Sequence, residues 1–299
     1  IKTNDSRILG LKWNTDKVTF GFANQIIEPL TKIPTKREVL RLVMCVFDPL
    51  GLISHILVHA KIILREIWRS QIHWDSPIGE EVFKKWTKWY EYMRNLHKIE
   101  IPRWLKTTKH SLIELHCFVD ASQEAFAGAV YIREKHDVTV NCQLVMAKTR
   151  VAPLKPMSIP RLELQAAVLG VRLCNSVQKK LSTEITSRTF WSDSADVLFW
   201  IKSETRRYRS FVAHRIGEIL EHSSINEWRW VPSKDNVGDI ATKSFAATLD
   251  YSTDSVWFKG PEFLYKNQDE WPKQNNEREY SVIEDLSDGR AADNQRPAS

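Results

Sequence analysis

Four carboxylates stand where they could act together. Asp120 comes where the apolar stretch Leu115-His116-Cys117-Phe118-Val119 gives way to the small residues Ala121 and Ser122. Glu163 falls in the expected first turn of a long helix, Asp193 ends a second strand-like stretch, and Asp239 lies where a last helix is expected to begin. Strand ends and helix starts on one edge of an α/β sheet face a common crevice. Carboxylates gathered there offer hard oxygen ligands, which suit a cation such as Mg2+ where Cys or His would not. Each position also has a structural explanation. An Asp after a strand forms turns, a Glu in a first helical turn complements the macrodipole, and an Asp near a helix start caps it. Four such positions in this order carry more weight than any one.

Periodicity gives the elements that must position them. Strands are expected over 114–119, 126–133 and 138–147, the first with Leu115, Cys117 and Val119 alternating against polar or aromatic neighbours. Gly128 in the second marks a bulge or a close backbone approach. A loop over 148–160 is rich in Pro and basic residues, and a helix over 161–181 carries Leu162, Leu169, Leu173 and Val177 on its apolar side. A fourth strand follows from Thr186 to Ser192. Next come a helix from Ala195 with Ser194 as its cap, a helix from Phe211 to Leu220, a fifth strand from Glu227 to Val231, and a last helix opening in Asn236–Ala241. Three strands, helix, strand, helices, strand and helix make an α/β sandwich around a mixed sheet.

The region before residue 111 reads differently. Short strands and turns over 7–30 suggest a hairpin, and Thr35-Lys36-Arg37-Glu38 opens a helix with a capping-box pattern. Asp48-Pro49 and Gly51 end it, and a second helix is expected from Ser54 to Ser70. A third helix, opened by Ser76-Pro77, carries Val82, Phe83, Trp86, Tyr90, Met93 and Leu96 at helical spacing, a stripe that reads as core rather than as a base-stacking platform. The boundary is placed near 105–111. This divides the chain into a mostly helical part (1–110), the α/β part (111–245), a linker (246–272) in which Trp257 to Leu264 forms a docking hook, and a polar, acidic tail (273–299) expected to be disordered.

Apolar content of 42% and 12 Trp exclude global disorder, and no apolar run nears the roughly 18 residues that cross a bilayer. The N-terminal residues show neither an initiator Met nor a signal-peptide pattern, and the chain reads as a piece of a longer polypeptide. Cys45, Cys117, Cys142 and Cys174 are far apart in apolar stretches. They suit a reducing compartment, cytoplasmic or nuclear, rather than a disulfide framework or a zinc knuckle. The net charge of +6 divides into +8 over 1–110, +3 over 111–245 and −5 beyond. A basic N-terminal part interleaved with Trp and Tyr suits a polyanionic partner, and equally an ordinary solvated helix surface.

The contexts of the four acids carry a resemblance. Phe118-Val119-Asp120-Ala121-Ser122, Pro160-Arg161-Leu162-Glu163-Leu164-Gln165-Ala166-Ala167, Trp191-Ser192-Asp193-Ser194 and Asp235-Asn236-Val237-Gly238-Asp239-Ile240-Ala241-Thr242 resemble a type 1 ribonuclease H domain over 111–245. The order Asp, Glu, Asp, Asp separates it from integrases and transposases, whose signature is Asp, Asp, Glu. Ile8-Leu9-Gly10-Leu11-Lys12-Trp13, Lys36 to Leu40 and Phe47 to Ile53 resemble the BEL/Pao retrotransposon polyprotein between its reverse transcriptase palm and its ribonuclease H. Trp257 to Leu264 resembles the segment before that polyprotein's integrase. One departure stands out: Asn236-Val237-Gly238-Asp239 replaces the family's more usual Asn-Pro-Ala-Asp.

The resemblance implies a ribonuclease H-like five-stranded mixed sheet flanked by helices, preceded by a thumb and connection region without the polymerase palm. It implies an endonuclease that hydrolyses RNA in RNA/DNA hybrids with two Mg2+ ions, for which Mn2+ can substitute. A pair of ions about 4 Å apart activates water and stabilises the leaving oxygen. By resemblance, Asp120 bridges both ions, Asp239 helps hold the water-activating one, and Glu163 and Asp193 hold the other. Carboxylates this close repel, so their pKa values are expected to rise without metal. Ser122 and Ser192 are candidates either for 2′-hydroxyl contacts or for capping loops, and Lys148, Arg150, Arg206, Arg207 and Arg209 for hybrid phosphates. The implied partners are the hybrid and the rest of the polyprotein, palm and integrase, with no membrane. The alternative is an inactive ribonuclease H-like remnant that binds nucleic acid without cutting. Although the corresponding region of the family carries a peptidase label, no Asp-Thr-Gly or Asp-Ser-Gly occurs, which excludes an aspartic protease, and no Tyr-x-Asp-Asp occurs either.

Overall fold

The computed structural model describes the backbone of residues 5–8 and all atoms of 11–22, 28–102, 111–203, 208–243 and 250–273. A long antiparallel ladder starts the α/β part: β5 (Leu112–Ala121), β6 (Ala125–His136) and β7 (Thr139–Val151) pair in succession. β8 (Ser187–Ser192) then lies parallel to β5, and β9 (Trp228–Trp230) parallel to β8, giving a mixed sheet of order β7-β6-β5-β8-β9. β5 exceeds the sequence expectation by two residues at each end, β6 runs three and β7 four residues further at their ends, β7 starts one residue later, and β8 and β9 are slightly shorter than expected. β7 in particular takes in Lys148 and Arg150, because its end is held by Ala152 N–H donating to the Glu124 carbonyl.

Alternation along β5 sorts its side chains. Leu115, Cys117 and Val119 point to the face covered by α4 (Ile159–Lys180), α5 (Ala195–Lys202) and α6 (Ser210–His222), and share a core with Leu162, Leu169, Trp200 and Ile216. Gly128 lies against Gly170 of α4, so the close approach, and not a bulge, explains it. β5 and β6 are buried along most of their length on both faces, whereas the outer strand β7 alternates buried with exposed residues.

What covers the second face was not legible in the sequence. α1 (Lys36–Met44), α2 (Ser54–Arg69) and α3 (Glu80–Arg94) share one continuous core with Phe118, Tyr131, Ala147 and Trp191 of the sheet. The strands expected near the N-terminus, β1 (Asp5–Ile8), β2 (Leu11–Asn14) and β3 (Thr19–Phe22), form a separate antiparallel sheet closed by β4 (Ile101–Pro102). The first part is therefore three helices plus a small sheet. Thr35 and Glu38 form the expected capping box on α1, with Glu38 N–H donating to Thr35 Oγ1 at 3.2 Å and Thr35 N–H to Glu38 Oε2 at 2.8 Å. Trp86 and Tyr90 of the α3 stripe are buried, together with Trp89, whose indole N–H donates to the Ile56 carbonyl at 3.1 Å. The stripe is core.

The stretch expected as a linker is packed instead. α7 (Val256–Lys259) and the 3-10 turns Glu262–Tyr265 and Gln268–Glu270 bury Trp257, Phe258, Phe263, Leu264 and Trp271 against the sheet. Trp257 Nε1 donates to the Leu52 carbonyl at 2.7 Å and Tyr131 Oη to the Trp257 carbonyl at 2.7 Å, so this segment ties α2's leading turn to β6. The boundary near 105–111 falls mostly outside the described residues, as does nearly all of the tail expected to be disordered. No helix among the described residues is long and apolar enough to cross a membrane. All four cysteines are free, and Cys117, Cys142 and Cys174 are buried.

Gly51 locks the two parts together. It adopts φ +70°, and a Cβ built there would lie 1.8 Å from the Ala147 carbonyl oxygen, while Ala147 N–H donates to the Leu50 carbonyl at 2.9 Å. Gly51→Ala is expected to lower stability by about 3 kcal/mol, from the left-handed backbone and the forced displacement of β7. A urea titration checks this, and an unchanged midpoint would contradict the docking of this turn.

Candidate active site

The strand order brings two acid-bearing strand ends to one edge. Asp120 sits at the end of β5, and Asp193 follows β8, the parallel neighbour of β5, so both lie at the carboxyl ends of adjacent strands. Glu163 faces them from α4. It lies in that helix's second turn and not the first, because the helix begins at Ile159. Pro160, whose ring suits a first turn and which needs no N–H partner there, extends the helix beyond the sequence expectation. Asp239 lies in a 3-10 helix, Val237–Ala241, in place of the expected α-helix start. Asp239 N–H donates to the Asn236 carbonyl and Thr242 N–H to that of Asp239, the three-residue pattern of a tight turn.

Each carboxylate is held through one oxygen by a different donor. Thr242 Oγ1 donates to Asp120 Oδ2, Ser194 Oγ to Glu163 Oε2 at 2.5 Å, Asn236 Nδ2 to Asp193 Oδ1 at 3.1 Å, and Lys243 Nζ meets Asp239 Oδ2 at 2.5 Å. Among the described residues the second oxygen of each carboxylate has no hydrogen bond. Asn236 joins the group, since its Nδ2 also donates to the Val119 carbonyl at 3.1 Å and its Oδ1 accepts from Gly238 N–H. Gly238 explains the departure in the Asn-Val-Gly-Asp sequence. A Cβ built there would fall 2.9 Å from Asp120 Cβ, so the loop closes on Asp120 more tightly than an Ala would allow.

The electrostatics follow from burial and mutual repulsion. Asp120 is only 7% exposed, and burial pushes its carboxyl up to about 8. The Thr242 hydroxyl opposes the rise, while Asp193, Asp239 and Glu163 add to it. Burial likewise pushes Glu163 up to about 7, against the Ser194 hydrogen bond and with the charges of Asp193 and Asp196. The Lys243 ammonium is held charged first by Asp239 and then by the fields of Asp120 and Asp193. The four acids are thus electrostatic neighbours. They are not a closed cage: among the described residues no three acids, histidines or cysteines are gathered tightly enough to hold a metal ion. By donor type they fit one, since every ligand is a carboxylate oxygen and each has an oxygen to spare.

The other candidates separate. Ser122 Oγ donates to the Thr242 carbonyl at 2.8 Å and accepts from the N–H groups of Glu124 and Ala125. Buried Ser192 accepts from Ser194 N–H at 3.2 Å. Both hold loops. Lys148 and Arg150 lie on the outer strand β7. Arg209 is half-buried at the start of α6, beyond the eight-residue α5 that leads away from Asp193, about 12 Å of helix. Arg206 and Arg207 lie outside the described residues. Sequence reasoning assigned no role to Asn236, Thr242 or Lys243, although all lie within four residues of Asp239. It also missed Arg65 of α2, whose Nη1 donates to the carbonyls of Glu124 at 3.2 Å and Ala152 at 3.1 Å, bracing the loop after Asp120.

A family model described as Pao retrotransposon-like RNaseH-like domain matches residues 35–194, more than half of the chain. The chain belongs to that family. The match begins at the cap of α1 and runs through Asp193, so this Pao-family unit includes the helices as well as the first four sheet strands. The N-terminal RNase H domain of Rv2228c from Mycobacterium tuberculosis, solved as a fusion with maltose-binding protein, is similar at 10% identity, covering 42% of this chain and 86% of its own, with a TM-score of 0.29. LC9-RNase H1, a type 1 RNase H with the type 2 active-site motif, is similar at 13% identity, covering 42% of this chain and 65% of its own, with a TM-score of 0.27. No curated protein matches the chain.

Proposed function

We propose that this Pao-family chain is a divalent-metal-dependent endonuclease that cuts the RNA strand of RNA/DNA hybrids during reverse transcription of a retroelement. The observation that carries the reading is the set of four acids at one sheet edge, each tethered through one oxygen with the other left for a ligand. Asp120, Glu163, Asp193 and Asp239 would hold Mg2+, with Mn2+ able to substitute. When bound, the metal supplies an activated water and charge stabilisation at the leaving oxygen. The protein's part is positional. Thr242, Ser194 and Asn236 aim the carboxylates, and Asp120 and Glu163, held above the ordinary carboxylate range, give up protons as a cation binds. The nucleic-acid strand would approach across the carboxylate edge, with the palm and integrase of the polyprotein as covalent neighbours.

A second reading, a module that binds nucleic acid without cutting, draws on the Lys243 ammonium seated on Asp239 and on the open spacing of the acids. One assay separates them. Incubated with a hybrid labelled on its RNA strand, the protein is expected to give internal RNA cuts in Mg2+ and none in EDTA, with RNA duplex left intact. Binding of the hybrid without cuts in either Mg2+ or Mn2+ would select the second reading.

A further inference from the structure

Outside the carboxylate edge, the surface between α2, β7 and α4 encloses a cleft of about 470 Å3. Lys61 of α2, Lys148 and Arg150 of β7 and Arg172 of α4 line it, with Asp48 as the single acid of the lining. Arg172 is engaged by Glu218. Lys61, Lys148 and Arg150 make no ion pair and no side-chain hydrogen bond among the described residues. Both oxygens of Asp48 are taken by the N–H groups of Leu52 and Ile53, each at 2.9 Å. Lys61 is half-buried while Lys148 and Arg150 are exposed, so three cations without carboxylate partners converge on one cleft that an anion would complete. Burial and the nearby Lys148 both disfavour the charge on Lys61, and Asp48 only partly offsets this.

The register fixes where this cleft lies. Lys148 pairs with Gly128, which pairs with Val119, and Arg150 pairs with Phe126, which pairs with Ala121. The cleft is therefore level with Asp120 and two strands away, about 10 Å across the sheet. We propose that the cleft is a phosphate site for the bound nucleic-acid strand, in which Lys61, Lys148 and Arg150 hold a backbone phosphate beside the stretch of strand presented to the carboxylates. The proposal rests on the reading of the sheet edge as the face that meets the strand. It makes α2, outside the sheet, part of the substrate surface.

The test measures hybrid binding in EDTA by fluorescence anisotropy at several KCl concentrations, for the parent and for Lys61→Gln/Lys148→Gln. Loss of two of the three cations on this phosphate is expected to lower affinity about tenfold near 50 mM salt and to flatten the log–log salt slope by about 0.9. Inorganic phosphate is expected to compete with the hybrid in the parent and not in the double variant. An unchanged slope and affinity would overturn the proposal. So would loss of phosphate competition with hybrid binding intact, which would make the cleft a free-anion site. If the double variant fails to fold, the parent answers: the hybrid should slow acylation of the Lys61 and Lys148 amines, and equal labelling with and without hybrid would overturn the proposal. Parent protein that cuts hybrid while the double variant binds like the parent refutes the cleft alone. Parent protein that shows the lysine protection but never cuts refutes the nuclease reading and supports the cleft.

Discussion

Asp120→Asn is expected to abolish metal-dependent cleavage of an RNA/DNA hybrid and, at the same time, to make the metal-free protein more stable at neutral pH. The first effect follows from Asp120's place at the centre of the cluster, where Asp193, Asp239 and Glu163 all act on it. Asp120 is among the residues that would hold the metal, and its loss would forfeit several kcal/mol of charge stabilisation, a rate loss of at least about 10³-fold. The second effect follows from burial. The carboxyl is pushed up to about 8, above its unfolded value of about 3.9, so the folded state resists ionisation. Below pH 4 both states hold the proton and the group costs nothing. As pH rises from 4 to 8 the unfolded chain loses its proton first, and the native state loses a few kcal/mol of relative stability. The Asn variant never ionises and escapes this loss. Urea midpoints of parent and variant should coincide near pH 4 and separate toward pH 8 in the variant's favour. Mg2+ should narrow the gap by stabilising the parent alone. Surviving cleavage would remove Asp120 from the chemistry, and midpoints that separate in the opposite direction would contradict its buried, repelled setting.

The second large effect concerns Arg133, which is 3% exposed in the middle of β6. Its Nη1 donates to Glu114 Oε2 at 2.5 Å, and its Nε and Nη2 donate to the carbonyls of Leu264 and Lys266. One guanidinium thus neutralises an acid on β5 and fastens the C-terminal segment to the sheet. Arg133→Met is expected to cost about 3–5 kcal/mol, because it strands the Glu114 charge and two carbonyls. Adding Glu114→Gln should recover part of that loss, since the stranded charge is then gone. Acid titration gives a further check. Burial pushes Glu114 up, but its neighbours His116 and Arg133 outweigh it and hold the carboxyl down to about 2. Stability from this group is present above its unfolded value near 4.5 and disappears as pH falls toward 2, so the parent should lose stability across that window more steeply than the Arg133→Met variant. Equal acid sensitivity would mean that the pair contributes little.

Local pattern made much of this protein legible. The two-residue alternation of β5, the 3.6-residue period of α2 and α4, the Thr35/Glu38 box and the Ser194 cap all express short-range physics, and each of these elements stands where the periodicity places it. The site was legible only as an order of acids. Their meeting depends on which strands become neighbours, and the pairing of β5 with β8 is what sets Asp193 beside Asp120. Two boundaries differ for different reasons: the helix carrying Glu163 starts two residues early because Pro160 fits a first turn, a local signal, whereas Asp239 lies in a 3-10 turn because Asn236 and Gly238 clasp Asp120.

The sequence by itself determined the elements, the order of the four carboxylates and the core character of the aromatic stripes, because these depend on side-chain type and spacing along one element. Only the tertiary structure decided that the N-terminal helices and the segment around Trp257 to Trp271 close the second face of the sheet. That face is built from residues alternating along five strands, and its apolar partners lie up to 205 residues apart, as Leu52 and Trp257 do. No local period encodes which distant apolar surface will cover another. The same long-range packing decided that Thr242, Asn236, Ser194 and Lys243 hold the carboxylates and that Lys61 joins Lys148 beside the edge.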